Sequence, residues 1–354
     1  MRRRAFLALA AMPRRADEQV DVWRAGEDGY HSYRIPALLR TRKGALLAFC
    51  EARKNSRSDS GDIDLVMKRS TDGGRTWSAQ QVIADQETNT IGNPCPVQDR
   101  RTGTIWMPLT ANPGNLAERE IEKDSAKGTR TVWMMHSNDE GQTWTTPVEI
   151  TSSVKETGWG WYATGPGNAI QLRSGRLLVP CDHRRFGSQA RHSHVIYSDD
   201  RGTTWRMGGS AQPETNECAV VELNDGSLML NMRSYAGRNR RAVAISRDGG
   251  ATWEDRGLDE ALIEPVCQAS LIRFDRRRLL FSNPASTKRE RMTVRLSRDE
   301  GRTWAKSLVL HEGPAAYSSL AALGRNDAAC LYERGPASAY ETITLARFDI
   351  RKLD

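Results

Sequence analysis

No stretch of this sequence stays apolar for the roughly 20 residues that a membrane-crossing helix needs. No Cys-x-x-Cys pair or other metal-ligand spacing occurs among its six cysteines, Cys50, Cys95, Cys181, Cys218, Cys267 and Cys330. Most of them lie in apolar, strand-like text, where a thiol behaves as a small hydrophobe. Buried free thiols are therefore expected, and no metal site. There is no nucleic-acid-binding motif, and the basic residues are scattered along the chain. No proline- or serine-rich linker and no block of like charge interrupts it, which favours one domain. What the chain does carry is a positive balance, +8 formally with a pI near 9.3. With nucleic acid set aside, that balance suits an anionic surface or an anionic small substrate. Hydrophobic residues make up 38% of the 354, enough for a soluble core.

One phrase recurs five times, as Ser70–Trp77, Ser137–Trp144, Ser198–Trp205, Ser246–Trp253 and Ser297–Trp304, in the form S-x-D-x-G-x-T-W. Half of the ten tryptophans sit in it. Its parts have a mechanical reading. Asp turns the backbone with its side-chain oxygen, and Gly two residues later supplies a positive φ. Thr should then re-enter a strand, and Trp should pack the hairpin on its neighbour. The phrase reads as a structural staple and not as a site.

A second turn precedes each phrase: Lys43-Gly44, Thr102-Gly103, Ser174-Gly175, Asp225-Gly226 and Asp275–Arg278, with Gly324–Asp327 in a final repeat that lacks the phrase. Each is flanked by short apolar runs, the signature of a hairpin. Every repeat then reads strand, tight turn, strand, longer loop, strand, phrase, strand. The period of about fifty residues lies in the range of propeller blades. Six hairpins predict an all-β, six-bladed β-propeller with four antiparallel strands per blade. Gln19–Trp23 is strand-like and unpartnered, and is expected to join the last blade. Residues 1–18 read as a separate N-terminal segment and 19–354 as the propeller domain. In the first part, Arg2-Arg3-Arg4 precedes an apolar run from Ala5 to Met12, and Arg3–Leu7 is like the twin-arginine export pattern. Export is the expectation; a basic tail on a cytoplasmic protein is the alternative.

Strand direction sorts the loops onto two faces. The tight turns and the five phrases share one face. The starts of the first strands and the loops after the second strands share the other, and chemistry belongs there. Collected on it are Tyr33, Arg34, Arg53, Asp59, Asp62, Asn93, Trp159, Trp161, Tyr162, Asn168, Asp182 and His183 from the first three repeats. Glu217, Arg233, Gln268, Lys288, Arg289, Arg291, Tyr317 and Glu333 follow from the rest. Arginine grips a carboxylate with fixed bidentate geometry. Arg34, Arg233 and Arg289 come from three repeats, and three guanidiniums aimed at one centre repel unless an anion sits between them.

Tyr33-Arg34-Ile35-Pro36, the five Asp-boxes and the order of the remaining residues resemble the bacterial-type exo-sialidases (neuraminidases), from about Val20 to the C-terminus. The resemblance implies hydrolysis of terminal sialic acids from sialylated glycoconjugates without metal or organic cofactor. It also implies roles. Arg34, Arg233 and Arg289 match the triad that holds the substrate carboxylate, with Arg291 and Lys288 as rivals for the third place. Asp59 matches the acid/base, with Asp62 its rival. Tyr317 and Glu217 match the nucleophile pair, and Glu333 the acid that braces the first triad arginine. Arg53 and Asn93 are further substrate-binding candidates, and Asn93 and Trp159–Tyr162 candidates for the variable part of the pocket. The chemistry suits these residue types. The anomeric carbon of a sialoside bears a carboxylate, so a neutral Tyr activated by Glu meets less repulsion than a second carboxylate would. A non-catalytic sialic-acid-binding lectin and a trans-sialidase are the alternative readings.

Overall fold

The computed structural model describes residues 18–123 and 127–353. The export-like segment thus lies, apart from Glu18, outside the described residues. All six cysteines are free and buried. No helix among the described residues is long and apolar enough to cross a membrane.

The protein is all-β. The strands of the described residues form four sheets of seven, nine, five and four strands. The ladders are antiparallel throughout, save one parallel pair, Ile63 with Thr90. The expected repeat appears in pure form in the four-stranded sheet, Thr215–Glu222, Leu228–Ser234, Arg240–Ser246 and Glu254–Ile263 in that order. Two of the sequence-predicted breaks between repeats are bridged, in the nine- and seven-stranded sheets, whereas the third repeat keeps a sheet to itself. The strand Lys306–Ala322 pairs through its first half with Glu290–Ser297 and through its second half with Asp327–Arg334, so two repeats share one seven-stranded sheet. No residues are left over there for a turn. Glu18–Arg24 pairs antiparallel with Thr342–Asp349, as expected, and covers that strand's edge.

The Asp-boxes close on themselves. In the first, Ser70 Oγ donates to Asp72 Oδ1 (2.8 Å) and accepts from the Gly74 N–H (2.8 Å). Thr76 gives its N–H to Asp72 Oδ1 (3.0 Å) and its hydroxyl to Oδ2 (2.7 Å). The same bonds recur around Asp139, Asp200, Asp248 and Asp299. Because Asp takes both Thr donors, Thr does not re-enter a strand. The next strand starts only beyond the Trp, at Gln81, Val148, Arg206, Glu254 or Lys306. The box glycine also serves packing. At Gly74 (φ 91°) a Cβ would lie 2.2 Å from Leu345, and at Gly202 (φ 96°) 2.1 Å from Trp106. Each partner belongs to the neighbouring repeat.

Six large apolar clusters make the core of the described residues, and each joins two repeats. The strand Leu46–Arg53 shows how. Leu46, Ala48 and Cys50 pack with Ile343 and Leu345, whereas Leu47 and Phe49 pack with Met107 and Leu109. Both faces are therefore apolar, as in any sheet buried on two sides.

The first strands of three hairpins are bulged at equivalent places. Register shifts fall between Arg34 and Ala37, between Thr215 and Cys218, and between Ala315 and Ser318. A bulge puts two residues opposite one and re-aims a side chain.

Candidate active site

The bulges deliver Arg34, Glu217 and Tyr317 to one cavity of about 160 Å³. Asp59, Arg53, Asn93, Arg233 and Arg289 also line it. No Asp-box residue does.

Beneath its floor lies Glu333, fully buried. Its Oε1 accepts from Arg34 Nε (2.8 Å) and the Ile35 N–H (2.9 Å), and its Oε2 from the Tyr317 N–H (3.0 Å). One carboxylate thus fixes Arg34 and Tyr317 together. Ile35 has φ 61°, rare for a β-branched residue and worth about 1–3 kcal/mol of strain. That twist is what turns its N–H onto Glu333. Glu51 repeats the device one repeat on. Its Oε1 accepts from the N–H of Asn93 (3.0 Å; φ 56°) and its Oε2 from Arg53 Nη2 (2.6 Å).

Tyr317 donates its hydroxyl to Glu217 Oε1. Arg233 Nη1 donates to the other oxygen of Glu217 (2.7 Å) and approaches the phenol oxygen at 3.4 Å. Burial first, and then the Glu217 charge, push the Tyr317 phenol well above its usual range. Burial opposes the charge of Arg233, and Glu217 outweighs it, so the guanidinium is held firmly protonated. Arg289 donates to the Tyr340 hydroxyl (2.7 Å), and Arg34 lies over the Tyr340 ring at 4.3 Å. Both guanidiniums flank the Tyr317 ring, at 5.3 and 5.8 Å. Asp59 Oδ1 reaches Arg53 Nη1 (2.8 Å) and Arg34 Nη1 (3.7 Å) from a side chain that is 73% exposed. Desolvation in the pocket raises the Asp59 carboxyl, but Arg53 and then Arg34 outweigh it and hold it below the ordinary carboxylate range.

The rivals go elsewhere. Asp62 pairs with Lys54 (3.4 Å), and Arg291 pairs with Glu312 (3.5 Å) at the surface. Neither they nor Lys288 line the cavity. Several residues expected on this face turn away from it. Tyr33, Trp159 and Tyr162 are buried in apolar clusters, with Trp159 stacked on His183 at 3.4 Å. A bulge between Trp159 and Trp161 leaves Trp161 alone of that segment's aromatics on the cavity wall. Gln268 is buried and tied to Ser318, and Asn168 borders a cavity at the other end of the strands. Asp182 does line the site, buried, its Oδ1 accepting from Asn216 Nδ2 (2.8 Å). Burial, and then Glu217, raise its carboxyl well above the usual range.

Arg130, Glu118 and Tyr340 were not legible beforehand. Arg130 is buried, donates to Asn93 Oδ1 (2.5 Å) and lies over the Trp161 ring at 4.2 Å. Burial lowers its hold on its proton even though Glu51 and Glu118 act the other way. Glu51 had a signal, because it stands opposite Arg34 in the hairpin register. The whole constellation is a small anionic-ligand pocket: fixed guanidiniums on its walls, a phenol with a carboxylate partner at its centre, and one exposed carboxylate at its rim.

Comparison with known proteins agrees with this picture. The model of the BNR repeat-like domain family matches residues 44–327. A sialidase of Bacteroides fragilis is 35% identical over 90% of this chain and 63% of its own length. A sialidase of Micromonospora viridifaciens is 35% identical over 91% of this chain and 53% of its own. The chain therefore spans just over half to under two thirds of these two relatives. Among solved structures, a Hadza microbial sialidase superimposes with a TM-score of 0.87 at 33% identity, covering 95% of this chain and 69% of that one. By its repeats, its extent of match and these relatives, the chain belongs to the BNR-repeat sialidase family.

Proposed function

We propose that this chain is a retaining exo-α-sialidase that removes terminal sialic acids from glycoconjugates, built on a six-bladed β-propeller. The blade count is supported by the core: six clusters, each between consecutive repeats, the first joining Leu38 and Leu46 to Leu331 and Leu345 from the far end of the chain. The activity rests above all on one observation, the Tyr317 hydroxyl bonded to Glu217 inside a ring of Arg34, Arg233 and Arg289.

The three guanidiniums hold the substrate carboxylate through an oxocarbenium-like transition state. Tyr317 Oη attacks the anomeric carbon as Glu217 takes its proton, and the bond to the leaving oxygen breaks. Asp59 protonates that oxygen. Arg53 and Arg34 outweigh desolvation and favour the ionised Asp59. A bound carboxylate shares the charge of Arg34, which lets the Asp59 carboxyl rise toward the value a general acid needs. Water then attacks the glycosyl–tyrosine bond and gives its proton to Asp59. Glu217 returns the first proton to Tyr317. Two displacements yield net retention.

Tyr317→Phe is the test. The ring stays, so stability and binding of a sialic-acid-like inhibitor should persist, while release from a fluorogenic sialoside falls by about 10³-fold or more. NMR of the wild-type reaction should show the retained anomer first. A Phe variant as fast as wild type, or an inverted first product, refutes the assignment. Wild-type protein that binds the inhibitor but never turns over the sialoside is a lectin instead.

A further inference from the structure

The turns at the other ends of the same strands form a second constellation. Arg40 lies six positions beyond Arg34, so the two ends of that strand lie about 20 Å apart. Five of the six tight turns on that far face carry arginine. Arg40, Arg42 and Lys43 stand at the first, Arg100 and Arg101 at the second, Arg276 and Arg277 at the fifth, and Arg325 at the sixth; all are exposed. None of these eight forms an ion pair with another described residue. At the third turn Arg173 is paired with Glu222 (3.2 Å), and at the fifth Arg273 is paired with Glu300 (2.6 Å).

The turns are contiguous. Arg42 donates to the Arg101 carbonyl (3.4 Å) and Arg100 to the Leu172 carbonyl. Arg173 donates to the Leu223 carbonyl (2.7 Å), Asn224 to the Arg276 carbonyl (2.8 Å), and Arg278 to the Arg325 carbonyl (3.3 Å). Neighbouring turns are thus laced from the first to the sixth. The second to fifth turns border a cavity of about 630 Å³ lined by Arg100, Arg173, Arg273 and Arg276, with Glu222 among them. This cavity shares no lining residue with the candidate active site.

We propose that this basic ring is a docking site for an acidic polysaccharide, one carrying closely spaced sulfate or carboxylate groups. Guanidiniums match such groups bidentately, and several spaced around a mouth engage successive charges of one chain. No aromatic ring among the described residues lines the cavity, so bases have nothing to stack on. A membrane would need an apolar anchor beside the charge, yet the exposed large hydrophobics among the described residues, Val82 and Val148, lie in strands and not in these turns. The site does not depend on the catalytic reading.

The test uses fluorescently labelled heparin oligosaccharide as probe, read by anisotropy on the full chain at several salt concentrations. Wild type should bind with a steep salt dependence. Replacing Arg100, Arg101, Arg276 and Arg277 together by Ser should weaken binding by on the order of tenfold or more and flatten the salt slope. Replacing Arg24, Arg119, Arg185 and Arg238 by Ser removes equal charge elsewhere and should change it little. Tyr317→Phe should bind as wild type does, and the quadruple turn variant should keep the melting temperature and sialoside turnover. Equal losses in the two quadruple variants would reduce the effect to net charge and overturn the site. Displacement of heparin by a sialic-acid analogue would move it to the other face. Tighter binding of duplex DNA, or of phosphatidylserine vesicles, than of heparin would overturn the polysaccharide assignment.

Discussion

Glu333→Gln changes one atom and should disable two halves of the site at once. The carboxylate takes three close donors, with Arg34 Nε and the Ile35 N–H on Oε1 and the Tyr317 N–H on Oε2, and a longer fourth bond from Arg34 Nη2 to Oε2 (3.5 Å). Glutamine has one oxygen and one NH₂. If the NH₂ takes the place of Oε1, it faces Arg34 and Ile35, donor against donor; in the place of Oε2 it faces Tyr317. Neither flip satisfies all three. Arg34 also loses its buried counter-charge and keeps only Asp59, at 3.7 Å and exposed. Breaking one partner of a buried ion pair costs about 3–5 kcal/mol. With an unfolding entropy of about 2.1 cal/mol/K per residue, or about 0.7 kcal/mol/K for a chain of this size, the melting temperature should drop by about 4–7 °C. The strained Ile35 backbone loses its restraint, so Arg34 and Tyr317 should both drift, and kcat/KM should fall by about a hundredfold. Calorimetry and steady-state kinetics on purified variant and wild type check both numbers. A Gln variant that melts with wild type and keeps its kcat/KM would show that Glu333 neither anchors nor aligns the site.

The remaining predictions separate scaffold from site. Trp205→Ala, at a buried box tryptophan on the far face, should cost about 3–5 kcal/mol in denaturant titration yet leave kcat per folded molecule unchanged. Arg289→Ala should cost about 2–5 kcal/mol in kcat/KM for a sialoside, whereas Arg291→Ala, at a surface pair, should cost almost nothing. Asp139 and Asp248 are held at about 2, because threonine hydroxyl and backbone donors outweigh a desolvation that acts upward. Their stabilisation is complete above the unfolded value of about 3.9 and is lost as pH falls through about 2. Asp139→Asn with Asp248→Asn should therefore flatten the acid limb of a stability–pH curve, and an unchanged limb would refute the linkage.

Much of this was readable from the chain because repeats multiply a weak signal. Five boxes on one side of six hairpins assign a face to every loop, and that alone sends Arg34, Glu217 and Tyr317 the same way. The reading fails where the backbone leaves its period. A bulge at Trp159–Trp161 reverses which residues of that strand face the cavity, and a bulge has no mark in the sequence. Arg130 and Glu118 come from the long stretch between Ile105–Asn112 and Thr131–Ser137, which has no alternating pattern to orient them. The run through Lys306–Ala322 was expected to break, because the repeats on either side were read as separate units. Cys218 and Cys267, by contrast, were legible as apolar residues and are buried as such.

The pairing of Glu18–Arg24 with Thr342–Asp349 has a consequence for how the chain comes to be. Asp21 and its partner Thr344 stand 323 residues apart. Bringing such ends together costs about 5 kcal/mol of chain entropy, which no local contact can repay. On the ribosome the first strand emerges long before its partner is made. Until then one apolar face of the strand Leu46–Arg53 waits uncovered, since Ile343 and Leu345 do not yet exist. Closure is thus a clasp that can shut only once Thr342–Asp349 has been made. A chain that stops before Thr342 should be no slightly weaker version of the protein but an open, sticky array and a substrate for proteases.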